Sequence, residues 1–335
     1  MQTSSGSAER KEREASASLS GRVRRWLGGE AHRRLVDYGY MAAFIVLVLI
    51  AASAADRFFT PLNISNLSRQ IVTNGLISLG MLVVILTGGI DLSVGSTVAL
   101  SGIMFAGLTD EIGLVPAMLV GLVAAALVGV VNGLVIARFK LQPFIVTLAT
   151  MVAVRGLVYV YSQIPQVPEN SDAFRAFLGA AFIGPVPVPA IIMLLCFPLV
   201  WLFLDRTTGG RAIVAIGGNE EAVRLAGISV GRHIVLAYAI SGFLAGLAGV
   251  ILASRLGIAQ PSVGEAYELD AIAACVIGGT SMSGGVGGPV GTFGGVLTLG
   301  LMNNLLNLFG VQPFYQRIFK GLIIIISVLA RRRER

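Results

Sequence analysis

The chain has 335 residues, of which 55% are hydrophobic and 13% charged, with a mean hydropathy of +0.82; soluble domains carry about 25% charged residues, so a soluble globular protein is excluded. The net charge is +7, yet eight of the 25 lysines and arginines lie in the first 34 residues and four more in the terminal RRRER, basic ends flanking apolar spans rather than a nucleic-acid-binding face. Cys196 and Cys275 sit inside apolar runs as packing residues, and with two histidines in the whole chain no metal site is supported and no motif asks for a cofactor.

The first long apolar run begins near Tyr40, so residues 1–36, rich in Ser, Ala, Arg and Glu, do not read as a cleavable signal. They are expected to form a cytoplasmic, largely disordered basic tail, with Val23, Trp26 and Leu27 as candidates for touching the membrane surface. Residues 37–330 are expected to form the transmembrane domain, and 331–335 a second basic cytoplasmic tail. A helical span needs about 20 apolar residues. On that measure ten spans are expected, near 38–56, 69–88, 93–109, 113–137, 143–162, 187–204, 233–253, 267–279, 289–309 and 314–330. The fold class is therefore an all-α integral membrane protein of about ten transmembrane helices, some short or broken. The eighth, short and flanked by glycines, reads as a half-helix or re-entrant segment. Even parity puts both termini on one side together with Arg138, Lys140, Arg206, Arg211, Arg224 and Arg232. That side is the cytoplasm by the positive-inside rule.

Asp91, within TGGIDLSVGS (87–96), is a carboxylate between two apolar spans and so a functional candidate. It also precedes a helix start that Ser93 is placed to cap, which leaves a purely structural role open. Gly88, Gly89 and Gly95 permit close helix approach. Asn74, Ser96, Asn132, Asn303, Asn304 and Asn307 are neutral hydrogen-bonding groups within spans, either lining a path for a hydroxylated solute or gluing helices together. Arg155 and Lys320 are the costliest charges inside spans, with Asp91 and Asp270 as candidate partners. Gly-rich GGTSMSGGVGGPVG (278–291) lacks the lysine and the strand–helix setting of a phosphate loop, so it reads as a bend or tight inter-helix turn. Two local echoes, ILTGGIDLSVG with VIGGTSMSGG and LQPF with VQPF, raise an internal repeat against coincidence.

The 205–232 stretch is the longest polar interruption with a helix signal. Asn219 is a good N-cap, Glu220 and Glu221 favour the positive helix end, and Gly227 ends the helix, so a helix over 220–226 is expected. Ala222, Val223, Leu225 and Ala226 give it a small apolar surface. On these residues alone it is either an ordinary capped loop helix or a docking element for a partner.

GGNEEAVRLAGI (217–228) resembles the coupling segment of ABC importer permeases, in which an acid and a small residue precede a glycine. Glu221, Ala222 and Gly227 hold that spacing; Val223 replaces the second alanine, and the distal Ile-x-Leu-Pro part is missing. Together with TGGIDLSVGS, LQPFIVTLATM (141–151), YELDAIAACVIGGTSMSGG (267–285) and LMNNLLNLFGVQPF (301–314), the chain resembles the ribose/xylose-type monosaccharide permeases from about Tyr38 to Leu329. The resemblance implies a pore subunit that is not itself an enzyme, with ATP hydrolysis in a cytoplasmic ABC ATPase. It also implies an extracytoplasmic sugar-binding protein, a second permease copy, lipid around the bundle, and residence in the bacterial plasma (inner) membrane. Asn219, Glu220, Glu221, Ala222, Arg224 and Gly227 become the ATPase-coupling candidates, and Arg57, Arg175 and Arg255 candidates for docking the binding protein. The alternatives are a permease of the same superfamily for branched-chain amino acids and, in another class, an ion-coupled secondary transporter.

Overall fold

The computed structural model describes residues 39–54, 58–312, 314–316, 318 and 321. Both tails, Arg57, Arg317, Lys320 and most of the expected tenth span lie outside them; Phe314–Gln316 are helical. The described chain is nearly all helix: α1 Gly39–Ala54, α2 Pro61–Leu86, α3 Val94–Ile112, α4 Leu114–Phe139, α5 Pro143–Tyr161, α6 Ser171–Phe177, α7 Val188–Arg206, α8 Thr208–Gly218, α9 Glu220–Leu225, α10 Val230–Leu256, α11 Tyr267–Ile277 and α12 Pro289–Leu308. A two-residue antiparallel hairpin, β1 Phe182–Ile183 with β2 Val186–Pro187, precedes α7. Among the described residues five helices, α2, α4, α5, α7 and α10, are long and apolar enough to cross a membrane.

Prolines set several helix starts, where the missing N–H costs nothing. Pro61 follows the N-cap Thr60, Pro143 follows Gln142, and Pro289 follows Gly288. The Thr60–Pro61 start places α2 eight residues ahead of the expected span. Its polar first turns (Asn63, Ser65, Asn66, Ser68) had hidden it.

Helix α2 is the axis, with every residue from Gly75 to Leu86 buried. On one side α10 joins it to α3 and α4, with α5 outside these; on the other, α11 and α12 pair against it, with α7 and α1 completing the layer. Close approach of α4 and α10 rests on glycines of both helices: a Cβ on Gly129 would overlap the Tyr238 carbonyl, and one on Gly242 the Ala125 carbonyl. Small residues at such a crossing bring backbones within van der Waals reach where lipid supplies no hydrophobic drive. By contrast no more than a third of the apolar stretch of α4, α5 or α7 is buried, as suits a lipid-facing wall.

Helix α11 has 11 residues, a rise of about 16 Å against a hydrocarbon core of about 30 Å. Its approach segment packs on the first turn of α3: Gly264 and Gly95 are in mutual backbone contact. The expected eighth span is thus a half-length helix starting inside the bundle.

Candidate coupling segment and translocation pathway

The expected helix at 220–226 is present as α9. Asn219 Oδ1 accepts from Ala222 N at 2.9 Å, Glu220 and Glu221 occupy the first turn, and Gly227 has φ +79°. Gly227 N and Ile228 N donate back to Arg224 O and Val223 O, closing the helix with the left-handed residue only glycine adopts freely. The four apolar residues do not share one surface. Val223 is buried, anchoring the helix inward, while Leu225 is 79% exposed and points away from the chain. Glu221 pairs with Arg224, and that hydrogen bond pushes the guanidinium pKa upward. Below α9 lies an open depression of about 500 Å³ lined by Thr208, Ala212, Gly227, Arg232, His233 and Leu236, among others.

The segment before it was not expected to be helical. α8 forms despite four glycines because Thr207 caps Gly210 N at 3.0 Å and Ala212, Ile213 and Ile216 are buried. It carries α9 into contact with the bundle. Gly217 abuts Leu86 O, Gly284 and Gly285, Gly284 abuts Gly88 N, and Gly285 N donates to Leu86 O at 3.1 Å. The two glycine stretches singled out in the sequence therefore meet each other and the 217–228 segment at one junction, through backbone alone.

Five residues past Leu86 stands Asp91, 1% exposed. Its Oδ1 accepts from Ser93 N at 3.0 Å and Ser93 Oγ at 2.6 Å, and its Oδ2 from Ser241 Oγ at 2.9 Å. Asn132 Nδ2 donates to Ser93 Oγ at 2.9 Å, extending the relay to α4. One backbone N–H and two serine hydroxyls thus meet the carboxyl group, and each bond polarises the next. Ser93 stands at the N-cap of α3 but its side chain makes no capping bond; its hydroxyl donates to Asp91 instead. Ser241 lies near the middle of the 27-residue α10, so the carboxyl group sits deep in the bundle. Ile90 O, next to it, accepts from Tyr238 OH and Thr147 Oγ1, both at 3.2 Å.

The other pathway candidates divide. Ser96 is buried beside this relay, donating to Ser93 O at 2.9 Å. Asn74 is half-buried in α2. Asn304 and Asn63 exchange amide hydrogen bonds at 2.9 and 3.1 Å, tying α12 to the start of α2, which is the helix-to-helix contact open in the sequence. Asn307, exposed, accepts from Gln316 at 2.7 Å, and Asn303 is buried with its Oδ1 unpartnered among the described residues.

Arg155 is not held by the carboxylates expected for it. Its Nη1 donates to Pro261 O and Val263 O, and Glu265 and Glu268 are the acids that act on it. Asp91 is served by hydroxyls two residues away and across α10, which leaves it no need of a guanidinium. Glu265 and Glu268 were missed because only the tertiary fold brings them to α5. Of the docking candidates, Arg175 is exposed on α6, whose end is pinned by Ser254 Oγ through Gly179 N at 2.8 Å and Phe174 O at 2.6 Å. Arg255 is half-buried and donates to Arg69 O at 3.0 Å.

A family model described as branched-chain amino acid transport system / permease component matches residues 63–328. The ribose import permease protein RbsC of Bacillus subtilis (strain 168) is 50% identical over 299 residues, covering 88% of this chain and 92% of that one. That of Escherichia coli (strain K12) is 42% identical over 305 residues, covering 90% and 95%. The L-arabinose transport system permease protein AraH of the same strain is 41% identical over 296 residues, covering 88% and 89%. No solved structure matches.

Proposed function

The chain belongs to this permease family and is the permease of a sugar-importing ABC transporter; from that premise we propose that it moves a ribose-like monosaccharide inward across the bacterial plasma membrane, driven through α9. The observation that carries the sugar is the near-full-length identity of 50% to a ribose import permease, with an arabinose permease at 41%. The family's description names branched-chain amino acids, but the three relatives described above are named for ribose and L-arabinose. As a multi-pass protein of the inner membrane it works with a cytoplasmic ABC ATPase and an extracytoplasmic sugar-binding protein, and ATP is hydrolysed in the partner rather than here.

In this reading two copies pair around the path, ten helices cross the bilayer, and both termini are cytoplasmic. Helix α9 enters a groove of the ATPase with Leu225 foremost. The glycine junction supports this: it sets α9 one short helix away from the turn that holds Asp91, so displacement of α8 reaches Leu86 and Gly88 without a side chain to absorb it. Asp91, Ser96 and Asn132 then act in gating, and Arg175 and Arg255 meet acids of the binding protein.

Two experiments test the reading. A strain deleted for its ribose permease should recover binding-protein-dependent uptake of labelled ribose on expression of this chain with its own ATPase and binding protein. Uptake of leucine instead would overturn the substrate class. Tags at residues 5 and 333 should be shielded from membrane-impermeant thiol reagents in intact cells, and labelling of either would refute the topology.

A further inference from the structure

We propose that the cavity between α3, α5 and the 261–268 segment holds the sugar part-way across the membrane, with Arg155 and Glu268 as its polar contacts. This inference rests on the sugar-permease reading and assigns that substrate a place in the chain.

Arg155 is the thirteenth of 19 residues in α5, an apolar helix long enough to cross the bilayer. A charged side chain within a span is costly in lipid, so it faces protein or water. What it faces is an open cavity of about 320 Å³ lined by Ser96, Met151, Val152, Arg155, Glu265 and Glu268, with Gly264 and Ala266. The volume exceeds a water site several-fold and accommodates a pentose ring.

The charges are arranged for a guest. Both hydrogen bonds of the guanidinium leave from Nη1, to the carbonyls of Pro261 and Val263. Its other N–H groups make no hydrogen bond among the described residues. Glu268 stands across the cavity in the first turn of α11, its Oε2 lying 2.9 Å from where a Cβ on Gly95 would be. It forms no ion pair with Arg155 within 4 Å; among the described residues the ion pairs are Arg206–Asp205 and Arg224–Glu221. Donors and acceptors on opposite walls, too far apart to satisfy each other, match a solute whose hydroxyls each donate and accept. Charge-assisted bonds to such groups are the strong ones. Met151 and Val152 offer an apolar patch for the C–H face of the ring. Gly95 and Gly264 in contact, and Ala266 held at φ +65°, fix the wall that carries Glu268 against α3.

The test uses the full transporter in proteoliposomes, with the same binding protein and ATPase in every arm. The probes are labelled ribose and its 2-, 3- and 5-deoxy analogues. The wild type should favour ribose over each analogue. Glu268→Gln and Arg155→Lys should shrink at least one of those ratios threefold or more, since a lost hydroxyl contact penalises only the sugar that had the hydroxyl. Unchanged ratios, or equal loss of all four sugars, would overturn the assignment in favour of a structural role. Failure of the wild type to accumulate ribose would instead overturn the sugar reading. A second measurement stands should the charge variants fail to insert. Alkylation of Met151→Cys in the otherwise intact complex should be slowed at least threefold by ribose and not by leucine, and equal rates would count against the site.

Discussion

Adjacent glycines at the end of α8 allow the coupling account to be tested with a built-in control. A Cβ added to Gly217 would lie 2.5 Å from Gly285 N and 2.9 Å from Gly284 Cα, and nearer still to Leu86 O. All three are backbone atoms. Ordinary contact begins at 3.4 Å, so clearing Gly285 N alone needs a shift of roughly 1 Å, and overpacking of this kind costs about 1–3 kcal/mol. Gly218, one residue on, meets nothing within 4 Å, so Gly218→Ala gains the helix preference for alanine, about 0.5–1 kcal/mol, without strain. The two variants differ by one position and by the same methyl group. In proteoliposomes containing the ATPase and binding protein, Gly217→Ala should hydrolyse ATP but lose most of its transport per ATP, at least fivefold. Gly218→Ala should match the wild type. Equal coupling ratios in the two variants would refute the claim that motion passes through the glycine junction.

Gly227→Val places a β-branched residue at φ +79° with no neighbour inside the chain, so its internal cost is backbone strain of about 1–2 kcal/mol. The variant should insert in the membrane yet fail to take up sugar and co-purify poorly with the ATPase; wild-type uptake by a Gly227→Val, Glu221→Lys double variant would show the coupling assignment wrong. Asp91→Ala strips three donors of their acceptor and should cost about 1.5–3 kcal/mol, read as a lower thermal unfolding midpoint in detergent, with Asp91→Asn in between; an unchanged midpoint would remove the relay from the account. Charge reversal at Arg175 should weaken binding-protein stimulation of the ATPase at low salt, where surface charge steers most, and the same change at half-buried Arg255 should also loosen its bond to Arg69 O; stimulation equal to wild type in both would leave the docking face elsewhere.

Much of this was legible in the sequence because membrane helices announce themselves by length and hydropathy. Nine of the expected spans have helices at their positions, and the caps of α9 stood in plain view as Asn219, Glu220, Glu221 and Gly227. What was hidden was tertiary or ran against local propensity. Four glycines in TGGRAIVAIGG argue against a helix, and α8 forms only because packing buries Ala212, Ile213 and Ile216. The polar first turns of α2 interrupt its apolar run, although Thr60 and Pro61 mark the start. Charge alone nominated Asp91 and Asp270 for Arg155. The fold answered with the carbonyls of the 261–268 segment, because Asp91 finds its donors locally and Glu265 and Glu268 reach α5 only when α11 starts inside the bundle.

The most direct test of the whole account is accumulation of labelled ribose in proteoliposomes containing this chain, its ABC ATPase and its sugar-binding protein. We predict uptake against a gradient that needs all three proteins and ATP, and that survives collapse of every ion gradient. Uptake by the chain alone, driven by a proton or sodium gradient without ATP, would contradict it.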